Sequence, residues 1–179
     1  VLGDTRLDQL HGLDDRVVRY TVEDRSRDNT DNLVNAVEHI YRSVSQDQSK
    51  KIVLIDEAWH LLNDPQGRKA VGKLVREGRD VNACIELVTQ NASDFTRSQD
   101  GRDILKNLNS YMFFKHQDVA TGVSEFFNLS QKEAVELRQL PTGTDLPYSE
   151  AIIRGPVNTK LRINALPSEQ AILNAGGGR

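Results

Sequence analysis

The chain has 179 residues, of which 37% are hydrophobic and 27% charged, with a formal charge of −3 and a pI near 5.8. That length suits about one domain with its own core, and no apolar run approaches the roughly 20 residues of a membrane span. The slight acidic excess argues against a dedicated nucleic-acid surface, which carries a strong basic surplus, although a local basic patch stays open.

Residues 1–28 read as a charged lead-in with one strand at 17–22. From the capping cluster Asn29-Thr30-Asp31, the apolar residues Leu33, Val34, Val37, Ile40, Tyr41 and Val44 recur at helical spacing and predict a helix to about residue 45. A polar linker, 46–50, leads to Lys51-Ile52-Val53-Leu54-Ile55. This short continuous apolar run predicts a parallel strand buried on both faces, and it stops on the adjacent carboxylates Asp56 and Glu57. Asp64 as N-cap, Pro65 at the first helical position and apolar Ala70, Val71, Leu74 and Val75 predict a helix over 65–77, ended by Gly78. Arg68, Lys69 and Lys73 read as its solvated face. A second buried strand, 83–89, follows through a parallel crossover and delivers Gln90 beside the tip of its neighbour. Cys84 within it reads as core. As a lone cysteine it excludes an intramolecular disulfide and, with no signal peptide opening the sequence, favours a reducing compartment.

A loop at 91–100 and a helix at 102–108 lead to a strand at 111–115. Its polar tip, His116-Gln117-Asp118, is expected to join the same sheet edge. Residues 119–128 read as helix. Ser130-Gln131-Lys132-Glu133 is a capping box opening a further helix that stops before Pro141. Residues 148–154 and 157–166 flank Gly155-Pro156 as a hairpin that finishes the sheet antiparallel. Pro167-Ser168-Glu169 starts a last short helix, and 171–179, ending Gly176-Gly177-Gly178-Arg179, is a flexible tail.

The chemistry concentrates at Asp56 and Glu57. Ligands gather at the carboxyl ends of strands in open α/β sheets. In nucleotide hydrolases one acid at such a strand end serves Mg²⁺ and the next orients the attacking water, because phosphoryl transfer needs positioning and charge neutralisation. The segment therefore reads as a Walker B element. Its usual companion, Gly-x4-Gly-Lys followed by Ser or Thr, has no match. Gly67-Arg68-Lys69-Ala70-Val71-Gly72-Lys73-Leu74 has the spacing, but it puts Leu74 where a metal-binding hydroxyl belongs and lies inside a predicted helix. The chain is therefore expected to be the C-terminal part of a larger ATPase. His60 and His116 lack a spaced partner, so no zinc site is expected.

Taken together, Ile55-Asp56-Glu57-Ala58-Trp59-His60-Leu61-Leu62, Arg76-Glu77-Gly78-Arg79, Thr89-Gln90-Asn91-Ala92-Ser93-Asp94-Phe95 and Ile104-Leu105-Lys106-Asn107 resemble the conjugative-transfer ATPases of type IV secretion systems, the VirB-four or TraC-like proteins. The resemblance implies an α/β, RecA-like P-loop NTPase core, its mostly parallel sheet flanked by helices and closed by the C-terminal hairpin. Residues 29–170 would be its Walker B half. It implies a homo-hexameric motor that uses ATP and Mg²⁺ at the cytoplasmic face of a membrane, peripheral to embedded secretion-channel components, with DNA a further partner. Asp56 would serve Mg²⁺ through water, Glu57 would polarise the attacking water and Gln90 would sense the γ-phosphate. Arg76 and Arg79 would be candidate arginine fingers. Gln90 equally suits capping a turn, and the two arginines equally suit the dipole of a helix end. Trp59 reads as a packing anchor. The alternative to a motor fragment, inactive alone without its P-loop, is a non-catalytic module that docks to a secretion ATPase or DNA translocase.

Overall fold

The computed structural model describes residues 30–117, 121–143, 146–167 and 169. The lead-in with its strand at 17–22, the tail at 171–179, Asp118 and most of the last short helix lie outside the described residues. The chain divides into two compact units, Val1–Asn107 and Leu108–Arg179.

In the first unit, α1 (Thr30–Gln46) precedes β1 (Lys51–Ile55), α2 (Trp59–Leu62) and α3 (Pro65–Glu77). A 3-10 turn (Gly78–Val81), β2 (Ala83–Leu87), α4 (Ser93–Thr96) and α5 (Gln99–Lys106) follow. Helix α3 starts where the sequence asks: the Asp64 carboxylate accepts from the backbone N–H groups of Gln66 and Gly67, with Pro65 at the first position. Its buried stripe, Val71 and Leu74, meets Leu61, Ile104 and Val37 in one apolar core. On the charged face of α3, Lys69 and Lys73 are exposed as expected and only Arg68 is half-buried. Arg68 donates to the Leu62 carbonyl at 2.7 Å, and the Lys73 ammonium sits 4.4 Å over the Tyr41 ring of α1. Tyr41 in turn donates to Glu77.

Strands β1 and β2 pair in parallel, in register from Lys51↔Ala83 to Ile55↔Leu87. Lys51 anchors the start of this pair, its ammonium donating to the carbonyls of Val44 at 2.8 Å and Val81 at 3.0 Å. Burial on both faces does not hold. Val53, Ile55 and Ala83 enter the core, whereas Ile52 is 68%, Leu54 57% and Val88 43% exposed. Successive side chains of a strand point to opposite faces, and among the described residues only one face of this pair is covered. Cys84 is on the open side and is exposed, not core.

The second unit holds β3 (Tyr111–Phe113), α6 (Thr121–Phe126), α7 (Gln131–Gln139), β4 (Ser149–Arg154) and β5 (Thr159–Ile163). The capping box at Ser130 and Glu133 forms as read. The hairpin is antiparallel, with Ala151 opposite Leu161. Strand β3 corrects an expectation: its tip does not extend the parallel edge. Its backbone is taken up by β4, with Tyr111 opposite Arg154 and Phe113 opposite Ile152, in a separate three-stranded sheet of order β3-β4-β5. The chain beyond it is tied down by His116, whose N–H donates to the Leu137 carbonyl at 3.1 Å. Gly155 turns the hairpin at a positive φ of 158°. A Cβ there would lie 2.6 Å from the Asn109 carbonyl oxygen, so only glycine fits.

Candidate functional site

The parallel pairing does not end with the strands. Val88 N–H donates to the Ile55 carbonyl at 2.9 Å, and Ala58 N–H donates to the Val88 carbonyl at 2.8 Å. These bonds hold the two strand exits side by side while the chain turns sharply between Ile55 and Ala58. Glu57 makes that turn with φ of 51°, in the left-handed region. A residue other than glycine pays roughly 1–3 kcal/mol there and stays only where its surroundings over-determine it. The surroundings here are specific. The Glu57 carbonyl accepts from His60 N–H at 3.1 Å at the opening of α2, and Ala58 is wholly buried.

The turn presents the Glu57 carboxylate to two donors. Gln90 Nε2, arriving from the end of β2, donates to Oε1 at 2.6 Å. Trp59 Nε1 donates to Oε2 at 2.8 Å. The Trp59 ring is stacked on His60, with centroids 3.6 Å apart and planes 26° from parallel. Asp56 is exposed, and its Oδ1 accepts the Glu57 N–H at 2.9 Å. The far wall comes from the segment after β2. Thr89 Oγ1 donates to Asp94 Oδ2 at 2.8 Å, and Asn91 Oδ1 accepts from Ser93 N–H at 3.1 Å. Together Glu57, Trp59, His60, Gln90, Asn91 and Asp94 line an open depression of about 580 Å³.

The structure thus brings together Glu57 and Gln90, with Asp56 on the same edge. It does not bring in Arg76 or Arg79. Arg76 is in the last turn of α3 and Arg79 in the 3-10 turn before β2, both exposed, at the amino end of the strand whose carboxyl end carries Gln90. A five-residue strand separates the two ends, roughly 17 Å of rise. Gly67, Gly72 and Lys73 all lie within α3, so the segment with P-loop-like spacing is helix. Sequence reasoning missed Trp59 as part of the site, along with the wall formed by Asn91 and Asp94. The signal for Trp59 was present: it is the only tryptophan, and a half-buried indole N–H usually finds an acceptor.

No group of three or more His, Cys, Asp or Glu side chains among the described residues could hold a metal ion. Mg²⁺ does not require such a cage. It keeps several waters and takes one or two carboxylates together with substrate phosphates. An exposed Asp56 carboxylate at a strand exit fits that mode, and Asp56 is the residue that would hold it.

Comparison with known proteins supplies the family. A family profile described as an AAA-like domain matches residues 13–147. A Sinorhizobium fredii protein described as a probable conjugal transfer protein TrbE is 32% identical over 69 residues, which is 37% of this chain and 10% of that protein. The solved structure of VirB4 from Thermoanaerobacter pseudethanolicus superposes with a TM-score of 0.62 at 21% identity, covering 79% of this chain and 38% of that one. The chain therefore has the α/β fold of a RecA-like ATPase domain and spans well under half the length of these two proteins.

Proposed function

Because the chain belongs to the AAA-like domain family, which implies nucleotide use, we propose that it is the Walker B and sensor half of an ATPase that energises type IV secretion or conjugative transfer. The observation that carries this is the Glu57 carboxylate, held at the joined exits of two parallel strands with the Gln90 amide 2.6 Å from one oxygen. Glu57 accepts a proton from, or orients, the water that attacks the γ-phosphate, and Gln90 links that carboxylate to the phosphate's presence. Asp56 would hold Mg²⁺ through its water shell, and the ion would supply charge neutralisation at the phosphates. The names of the two similar proteins, one a conjugal transfer protein and one a VirB4, support the biological setting.

Arg76, in the last turn of α3, and Arg79, in the 3-10 turn, precede β2, whereas Gln90 follows it. Both arginines are exposed, and we propose them as candidate fingers for a neighbouring subunit's nucleotide in a closed ring of identical subunits. A homo-hexamer at the cytoplasmic face of a membrane, peripheral to the secretion channel, is the assembly we propose. No helix of the described residues is long and apolar enough to cross a membrane. DNA is a further partner within this proposal, in keeping with the description of one similar protein as a conjugal transfer protein.

The test is ATP turnover by the chain extended upstream in its reading frame through a glycine-rich loop, beside the 179-residue chain alone. We expect turnover only from the extended protein. Glu57→Gln should abolish hydrolysis while leaving ATP binding within about 3-fold, because transition-state and ground-state contacts are separable. Undiminished turnover by Glu57→Gln would move the site elsewhere.

A further inference from the structure

We propose that Trp59 is a positioning residue for ATP hydrolysis, one that acts through Glu57. The proposal rests on the assignment of Glu57 as the water-orienting carboxylate. A carboxylate at an open strand exit can rotate about its side-chain bonds, and a base must be within hydrogen-bond reach of the proton it takes. One donor fixes one oxygen and leaves the plane of the group free to swing. Glu57 has two, on different oxygens: Gln90 Nε2 at 2.6 Å on Oε1 and Trp59 Nε1 at 2.8 Å on Oε2. Two anchored oxygens define the carboxylate plane. Each keeps a further lone pair, so the capacity to accept from a water is retained.

The two donors differ in stiffness. Gln90 is exposed and reaches Glu57 from another strand, 33 positions along the chain. Its amide is the one a phosphate can draw away. Trp59 is only two residues from Glu57, is half-buried, and has its ring stacked at 3.6 Å on His60. A planar ring with two torsions, clamped on one face, holds its N–H in one direction. The left-handed backbone at Glu57 makes the contact feasible, because it folds the acidic side chain back over the first residue of α2. The indole is then the fixed reference and the Gln90 amide the exchangeable donor.

Trp59→Phe tests this, since it keeps an aromatic ring against His60 and deletes the N–H. In the ATP-hydrolysing extended protein we expect kcat to fall about 10- to 100-fold, the scale for a misplaced reacting group, with KM for ATP within about 2-fold. Wild-type kcat in Trp59→Phe overturns the proposal. Glu57→Gln in the same assay keeps the two ideas distinguishable. If it retains turnover, the assignment of Glu57 fails; if it is dead while Trp59→Phe is normal, only the role of Trp59 fails.

A second readout needs no turnover. Trp59 is the sole tryptophan, so its fluorescence reports this contact in the 179-residue chain. Glu57→Ala should shift the emission maximum and raise acrylamide quenching, and Arg79→Ala, at the far end of β2, should do neither. This arm decides the matter if Trp59→Phe proves unstable. An unchanged spectrum in Glu57→Ala would mean the indole does not engage the carboxylate.

Discussion

Gly67 and Gly72, the pair with P-loop-like spacing, respond oppositely to alanine if they are helix residues. Both lie inside α3, where exchanging glycine for alanine gains about 1 kcal/mol from backbone entropy. At Gly67 the gain is overridden. A Cβ there would lie 2.2 Å from the Leu61 carbonyl oxygen and 2.9 Å from the Leu61 Cα and carbonyl carbon. Unstrained carbon contacts sit near 3.5 Å, so α2 or α3 must move by about 1 Å. That carbonyl cannot swing aside freely, because it accepts from Asp64 N–H at 3.2 Å in the turn joining the helices. Overpacking of this kind costs about 1–3 kcal/mol, and more against backbone. The net expectation for Gly67→Ala is a loss of about 1–2 kcal/mol, or about 2–8 °C in Tm for a chain of this size. At Gly72 the nearest atom is the movable Arg76 Nη1 at 3.2 Å, then Ile104 Cγ1 at 3.5 Å. Gly72→Ala should be neutral or gain up to about 1 kcal/mol. Thermal melts followed by far-ultraviolet circular dichroism, with urea midpoints alongside, decide it. A Gly67→Ala protein as stable as wild type, or a Gly72→Ala protein less stable than Gly67→Ala, refutes the packing account. Loss of ATP affinity in Gly72→Ala would return the segment to phosphate binding.

Other substitutions test the site and the core. Glu57→Gly should be more stable than Glu57→Ala by about 1 kcal/mol, since only glycine adopts the φ of 51° without strain, and both should lack turnover; equal melting temperatures would mean the turn is unstrained. Leu74→Ala empties a fully buried position facing α1 and α5, and should cost about 2–5 kcal/mol by urea unfolding; a loss under 1 kcal/mol would place that side chain outside the core. The Glu133 carboxyl is held below its ordinary value of 4.5, first by the Ser130 backbone N–H, then by the Ser130 hydroxyl and Arg154. A depressed folded pKa gives stability that is full above about 4.5 and is lost as pH falls through the folded value. Urea midpoints measured from pH 6 to pH 3 should therefore decline less steeply in Glu133→Gln, and identical profiles would remove the capping box from the acid response.

Much of the fold was legible because its signals are local. The Asp64-Pro65 start of α3 and the Ser130-Glu133 box each bind their own backbone within three residues, so a sequence motif contains the whole interaction. The apolar period of α1 and the parallel pairing of β1 with β2 came through for related reasons, the helix period and the strand-helix-strand order. Strand β3 failed on a non-local point. Tyr111-Met112-Phe113 reads as apolar strand whichever neighbour it takes, and the choice of β4 depends on residues some 40 positions later. The open face of β1 failed similarly. Ile52 and Leu54 are as apolar as Val53 and Ile55, and composition cannot say which pair a core covers. Arg68 looked solvated because its acceptors, the Leu62 carbonyl and the Asp100 carboxylate 32 positions on, are displayed by no local side-chain pattern.

The site divides along the same line. The meeting of Glu57 and Gln90 was legible because strand exits in a parallel pair lie side by side, and the structure places the Gln90 amide within 2.6 Å of Glu57. Trp59 was not, because the side chains at 57 and 59, two residues apart, would not face each other on a helix and, on a strand, would stand about 7 Å apart along one face. They meet because Glu57 takes a left-handed conformation that neither its propensity nor its neighbours advertise. That turn is sustained from outside the segment, by the Ala58–Val88 and Val88–Ile55 backbone bonds that pin the exits of β1 and β2. The strain and the site therefore have one origin. Pairing past the end of the strands forces a tight exit, the tight exit puts an acidic residue where glycine would be easier, and the acid's carboxylate then lies within reach of a donor from each side. A glycine at 57 would relieve the backbone and remove the carboxylate that the turn presents.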